Sequence, residues 1–270
     1  MTEPAIREVR PEDAPALTAL WAQTFDDSEA LIRSFFRLLP GMGGGVTAEA
    51  DGRSVGMAFL IDDLQLVRPD GSEARCGYLY AVAVDPAFCG RGLGAALSRA
   101  AFALGRERGA EILCTEPADA GLFGWYEKVL GVSCALRRRC DRIPAAAGAP
   151  VRHEAEHYRE KREALLAGLP HLRPGYTALN FAWQLCAANG GGLYAVGDGI
   201  AAAYAEDGRA VIRELLAPAG ADRRALAASL AAHLHTGEAL LYTADPAGEA
   251  YLSAAPGSLP ADTVWGLSFD

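Results

Sequence analysis

The residues best suited to chemistry lie between Tyr78 and Gly94. Gly77-Tyr-Leu-Tyr-Ala-Val-Ala-Val84 is rich in β-formers, Asp85-Pro86 stops it, and Cys89-Gly-Arg-Gly-Leu-Gly94 follows. A strand that feeds a glycine loop into a helix start turns backbone N–H groups and the positive end of a helix dipole toward phosphate oxygens. Gly90, Gly92 and Gly94 permit close approach, and Arg91 adds charge. A glycine loop alone does not say which phosphorylated ligand it holds, since nucleotide-binding folds use one too. Glu116, at the end of the next strand, is the candidate base, with Asp62 or Asp63 as second choice, because strand ends that line a cleft suit such a group.

Other polar constellations weigh less. His153-Glu-Ala-Glu-His157 has the spacing of a zinc-protease helix. The stretch around it, VRHEAEHYREKRE, is charged on every side and brings no third ligand, so it reads as a solvated helix start and no metal is expected. His233 and His235 fall near a helix end, where they favour the dipole. The six cysteines form no CxxC pair and sit mostly in apolar stretches.

Periodicity supplies the elements that would position these groups. A strand, Ile6 to Val9, precedes a helix from Pro11 to Phe25 and a second from Ser28 to Leu39 that ends before Pro40-Gly41. Gly43-Gly44-Gly45 reads as a loop, and Asp51-Gly52 as the turn of a hairpin. From Leu93 a helix runs to Gly109, followed by a strand at Glu111 to Thr115, a helix at Leu122 to Leu130 and a strand at Val132 to Cys140. Ile143 to Pro150 is small, proline-bearing and uncharged, which marks a boundary between residues 1–145 and 150–270. The second part repeats the first in outline: strands at Gly192 to Val196 and Ile200 to Ala205, a third from Ala210, a helix at Arg223 to His235 and a strand at Ala239 to Thr243. AGADRRAL, after Pro218, lacks the spaced glycines of the first part.

Ala-Val-Ala-Val-Asp-Pro86, three residues, then Gly-Arg-Gly-Leu-Gly94 resembles motif A of the GNAT superfamily of N-acetyltransferases. The order of two helices, a hairpin, that strand and later Leu122-Phe123 with Tyr126 is similar too, over roughly residues 5 to 141, and the second part resembles a degenerate copy of the kind found in tandem-GNAT proteins. The resemblance implies an α/β (α+β) fold with a mixed, mostly antiparallel sheet flanked by helices. It implies acetyl-CoA as cofactor and direct attack on it by a primary amine. Val82, Ala83 and Val84 would pair with the pantetheine arm, and Cys89, Gly90, Arg91, Gly92, Leu93, Gly94 and Ala95 would hold the pyrophosphate. Tyr126 would protonate the leaving thiolate. Cys89 stands where the family has Gln or Arg, and the stretch after Tyr126 is one residue longer than is common. The alternative is a non-catalytic acyl-CoA-binding or regulatory module.

A net charge of −9 and a pI near 5.1 argue against a nucleic-acid partner. No apolar stretch reaches the 18 to 20 residues or so of a membrane span, and the acidic start does not read as a signal peptide, so a cytoplasmic protein is expected. The partners implied are a small-molecule or peptide amine and at most a second copy, in a homodimer.

Overall fold

The structure is a computed structural model and describes residues 3–269. The first strand, β1 (Ala5–Glu8), leads through a short 3-10 turn into α1 (Ala14–Thr24) and α2 (Glu29–Met42). Ser28 caps α2 by accepting from the Leu31 amide. That helix runs through Pro40 to Met42, one turn past the expected stop, and Gly43-Gly44-Gly45 opens a strand, β2 (Gly43–Ala50), rather than a loop. The reason is close packing. A Cβ on Gly43 would lie 1.9 Å from the Leu60 carbonyl oxygen, and one on Gly45 would lie 2.4 Å from the Phe59 ring. Asp51 and Gly52, both with positive φ, make the expected turn into β3 (Arg53–Val67).

Next come β4 (Glu73–Val84), α3 (Leu93–Glu107), β5 (Ile112–Thr115), α4 (Leu122–Leu130) and β6 (Ser133–Pro144). The second part holds β7 (Val151–His153), α5 (Tyr158–Leu165), β8 (His171–Pro174), α6 (Tyr176–Ala188), β9 (Gly192–Val196), β10 (Gly199–Glu206), β11 (Arg209–Leu216), α7 (Arg223–His233), β12 (Glu238–Ala244) and β13 (Glu249–Ala254). His153 lies in strand β7 and His157 precedes α5, so the two histidines do not share a helix face.

One 13-stranded sheet carries everything, in the order β1-β2-β3-β4-β5-β13-β6-β12-β11-β10-β9-β7, with β8 paired to β3. Only β4–β5 and β11–β12 are parallel among these pairs. Each part gives its last strand to the other. β13 inserts between β5 and β6, and β6 in turn pairs with β12. The small, uncharged stretch after Ile143 is therefore not a loose tether. Ile143 pairs with Ala239, and the Ala145 and Ala146 amides donate to the Gly237 and Ala228 carbonyls.

Side chains alternate along the strands with period two and feed three apolar clusters. Ala58, Leu60 and Leu79 pack with α3 and α4, and Ala201, Ala203 and Ile212 pack with α7. The opposite alternation, Met57, Phe59, Tyr78, Ala202 and Val211, joins α1, α2, α6 and Phe269 in a cluster that spans both parts. Among the described residues no helix is long and apolar enough to cross a membrane.

Candidate active site

Strand β4 sets the site. It pairs with β5 from Cys76↔Ile112 to Leu79↔Thr115, where β5 ends. β4 continues to Val84, paired on its other side with β3 through Met57↔Ala83 and Gly56↔Val84. Between these stretches the β3–β4 register shifts, and Ala81 carries a φ of 46°. This bulge and the end of β5 leave Val82, Ala83 and Val84 with β3 as their only strand neighbour among the described residues, as a ligand with amide groups requires.

Beyond Val84 the chain makes a short turn at Pro86–Phe88, capped by Asp85 accepting from the Ala87 amide at 2.9 Å. Gly90 (φ 75°) and Gly92 (φ 77°) occupy the left-handed region. Gly92 is the N-cap of α3, and no side chain caps that helix end. A cavity of about 330 Å³ opens there, lined by Cys89, Gly90 and residues 92–95 of the loop, by Val84 and Phe88, and by Trp125 of α4. Arg91, expected to add charge over the loop, is turned back: its guanidinium lies 5.4 Å from the Phe88 ring centre and donates to the Ala87 carbonyl at 3.1 Å. The Cys89 thiol is exposed, its sulfur 3.8 Å from the Val84 oxygen and 3.7 Å from that of Asp85.

The second part lacks such an opening. The N-terminus of α7 is closed by Asp222, whose Oδ1 accepts from the Arg224 amide at 3.0 Å and the Ala225 amide at 3.1 Å. A carboxylate already occupies the place where a phosphate would bind, and it would repel one.

Tyr126 is buried in α4 and meets Trp125 edge-on, with ring centres 4.8 Å apart. Trp125, one residue earlier, lines the loop cavity. Glu116, the candidate base, sits just beyond β5 with 3% of its side chain exposed, 3.0 Å from the Arg138 guanidinium. Arg138 is itself held between Tyr242 and Tyr251, 4.6 and 4.7 Å from their ring centres. The carboxylate offered by the sequence as the base is therefore engaged in an ion pair with Arg138. Asp62 and Asp63, the second choices, are not at this end of the strands. They face Gly77 across the sheet, seven residues or roughly 23 Å from Val84 along β4.

Arg138, Tyr242 and Tyr251 escape a reading of the sequence. Arg138 hides in the run Arg137-Arg138-Arg139, and only strand alternation, which turns it away from its exposed neighbours, distinguishes it.

Residues 6–132 match the acetyltransferase (GNAT) family model. This segment belongs to the GNAT superfamily. Solved structures extend the likeness beyond the GNAT segment into the second part. A GCN5-related N-acetyltransferase from Kribbella flavida is 20% identical with a TM-score of 0.67, over 93% of this chain and 71% of that one. One from Anabaena variabilis is 14% identical with a TM-score of 0.66, over 93% and 72%. Eis1 from Mycobacterium abscessus is 17% identical with a TM-score of 0.60, over 93% and 73%. At these identities the likeness is one of fold. No curated protein matches the sequence.

Proposed function

We propose that the chain is an acetyl-CoA-dependent N-acetyltransferase whose cofactor lies in the GNAT segment and whose acceptor is a primary amine, of a small molecule or a peptide. The observation that carries this reading is the uncapped N-terminus of α3, set beside a cavity of about 330 Å³ and beneath the free edge of β4. The cradle fits a diphosphate. Amides after Gly92 have no side chain competing for them, and a Cβ at Gly90 or Gly92 would meet nothing within 4 Å, so the space above the loop is open.

Acetyl-CoA, when bound, supplies the acyl thioester. Gly90 to Ala95 would hold its phosphates and Val82 to Val84 its amide groups, fixing the ligand along β4. Tyr126 is assigned the proton that the departing thiolate requires. For the second part we propose a diverged copy of the same fold that has given up its own cofactor site, as the Asp222 cap and the missing glycines indicate. Its contribution to the GNAT segment is β13 and the tyrosines that hold Arg138. One observation favours a binding module without turnover: the pairing of Glu116 with Arg138 leaves the acceptor's proton without an identified base.

Calorimetric titration with acetyl-CoA and CoA, followed by thiol release in the presence of amines, tests the assignment. Binding with thiol release supports an enzyme, binding without release for any amine supports the module, and no binding removes both. In the enzyme, Tyr126→Phe is expected to lower kcat about 100-fold while the affinity for acetyl-CoA stays within twofold, since the lost group acts on a proton and not on binding. An unchanged kcat would take the acid's role away from Tyr126.

A further inference from the structure

A second cavity, of about 400 Å³, lies at the opposite end of α3 from the glycine loop. The helix separates the two by 15 residues, about 22 Å. A bulge in β3 builds one wall. Ile61 faces Tyr78 and Leu64 faces Cys76, so Asp62 and Asp63 both stand opposite Gly77. Consecutive residues of a regular strand would point to opposite faces, whereas here both aspartates line one cavity. Arg75 and Arg108 close the side formed by the GNAT segment, and Arg159 and Tyr176 come from the second part.

The charges in this lining are not all paired with each other. Arg108 binds Asp62, forming one closed pair. Asp63 is anchored by its Oδ2, which accepts from the Thr177 and Ala178 amides at 3.2 and 3.1 Å. Arg159 is anchored on the Tyr176 ring, 4.5 Å from its centre, and through Nε to the Pro174 carbonyl at 3.3 Å. Among the described residues no ion pair joins Asp63 to Arg159, and no protein acceptor is bonded to the terminal nitrogens of Arg159. Arg75 gives one N–H to the Arg108 carbonyl at 2.8 Å. A carboxylate and two guanidiniums therefore share one polar cavity, each fixed by its own contacts. Burial holds the Asp63 carboxyl above the usual range despite those two amides, so it gains from an approaching cation. A simple anion would meet Asp63 and a simple cation would meet two arginines; a molecule bearing both charges meets neither penalty.

We propose that this cavity is a binding site for a free α-amino acid, its carboxylate received by Arg159 and Arg75 and its ammonium by Asp63. Groups held in place before binding lose little freedom on receiving such a ligand, and the site is separate from acyl transfer. The test is thermal-shift screening of the full chain against the twenty L-amino acids one at a time, with calorimetry on the strongest. The result expected is saturable binding of at least one amino acid. Its decarboxylated amine and its deaminated acid should each bind at least tenfold more weakly, as should the amino acid itself to Arg159→Gln. Arg159 is half-buried at the cavity wall, so this variant should keep the wild-type thermal midpoint. Gly92→Asp, which closes the glycine loop, should leave the amino-acid affinity unchanged. Binding of none of the twenty overturns the proposal. So does equal affinity for Arg159→Gln, or loss of binding in Gly92→Asp, which would place the amino acid at the acyl-transfer site.

Discussion

Gly92→Asp is expected to lower the affinity for acetyl-CoA at least 100-fold while leaving the thermal midpoint within a few degrees of wild type. The substitution gives α3 the cap that α7 already has, since Asp222 at the corresponding N-cap takes two amides of the first turn. An aspartate at residue 92 would take the equivalent amides of α3 and set a negative charge against the phosphates. Two unit charges about 4 Å apart interact by roughly 4 kcal/mol at an effective dielectric of 20, and salt reduces that, so about 100-fold is the lower end of the effect. Stability changes little because two terms oppose. A non-glycine residue at a φ of 77° costs about 1 kcal/mol, and an aspartate cap in place of glycine returns a few tenths of that. Calorimetry with acetyl-CoA and a melting curve on the same sample decide the matter. Wild-type affinity in a folded variant would show that the α3 N-terminus does not carry the phosphates.

The glycine loop between β4 and α3 was legible in the sequence because its shape depends on local backbone, so glycine spacing and a preceding β-rich run are enough to reveal it. Features that depend on distant partners were not legible. Gly43 to Gly45 look like a flexible loop until β3 lies against them and leaves no room for a Cβ. Glu116 reads as a strand-end carboxylate, and its pairing becomes visible only when β6 brings Arg138 beside it and the second part brings two tyrosines. The exchange of β6 and β13 left no periodic signal, because a strand reads the same whichever sheet neighbours it gains. It does have a physical consequence: β5, the strand that leads into Glu116, is bordered on one side by residues from the far end of the chain.

The clearest misreading concerns Tyr158 and Arg162, and it leads to the largest stability effect expected here. Their segment is charged on every side in sequence, yet Arg162 and Tyr158 are fully buried. Their partner is Glu214, 52 residues beyond Arg162, on β11. Arg162 Nε lies 3.1 and 3.0 Å from its two carboxylate oxygens, and the Tyr158 hydroxyl donates to Oε2 at 3.0 Å. Burial, and then the neighbouring carboxylate, push the Tyr158 phenol well up, so it remains a neutral donor. Arg162 also reaches Glu163, which faces His171 and Arg173, and Arg173 continues to Glu73 of β4. The network thus links α5 and β11 to the GNAT segment. Glu214→Leu would leave a buried guanidinium without its main counter-charge, and the expected loss is about 3 to 5 kcal/mol. Adding Arg162→Met and Tyr158→Phe removes the stranded polar groups as well, and this triple variant should recover most of the loss, because apolar packing can replace a buried ion pair at little cost. Denaturant unfolding of both variants separates the outcomes. A triple variant no more stable than Glu214→Leu alone would mean that the residues act through their shape and not through the charge they bury.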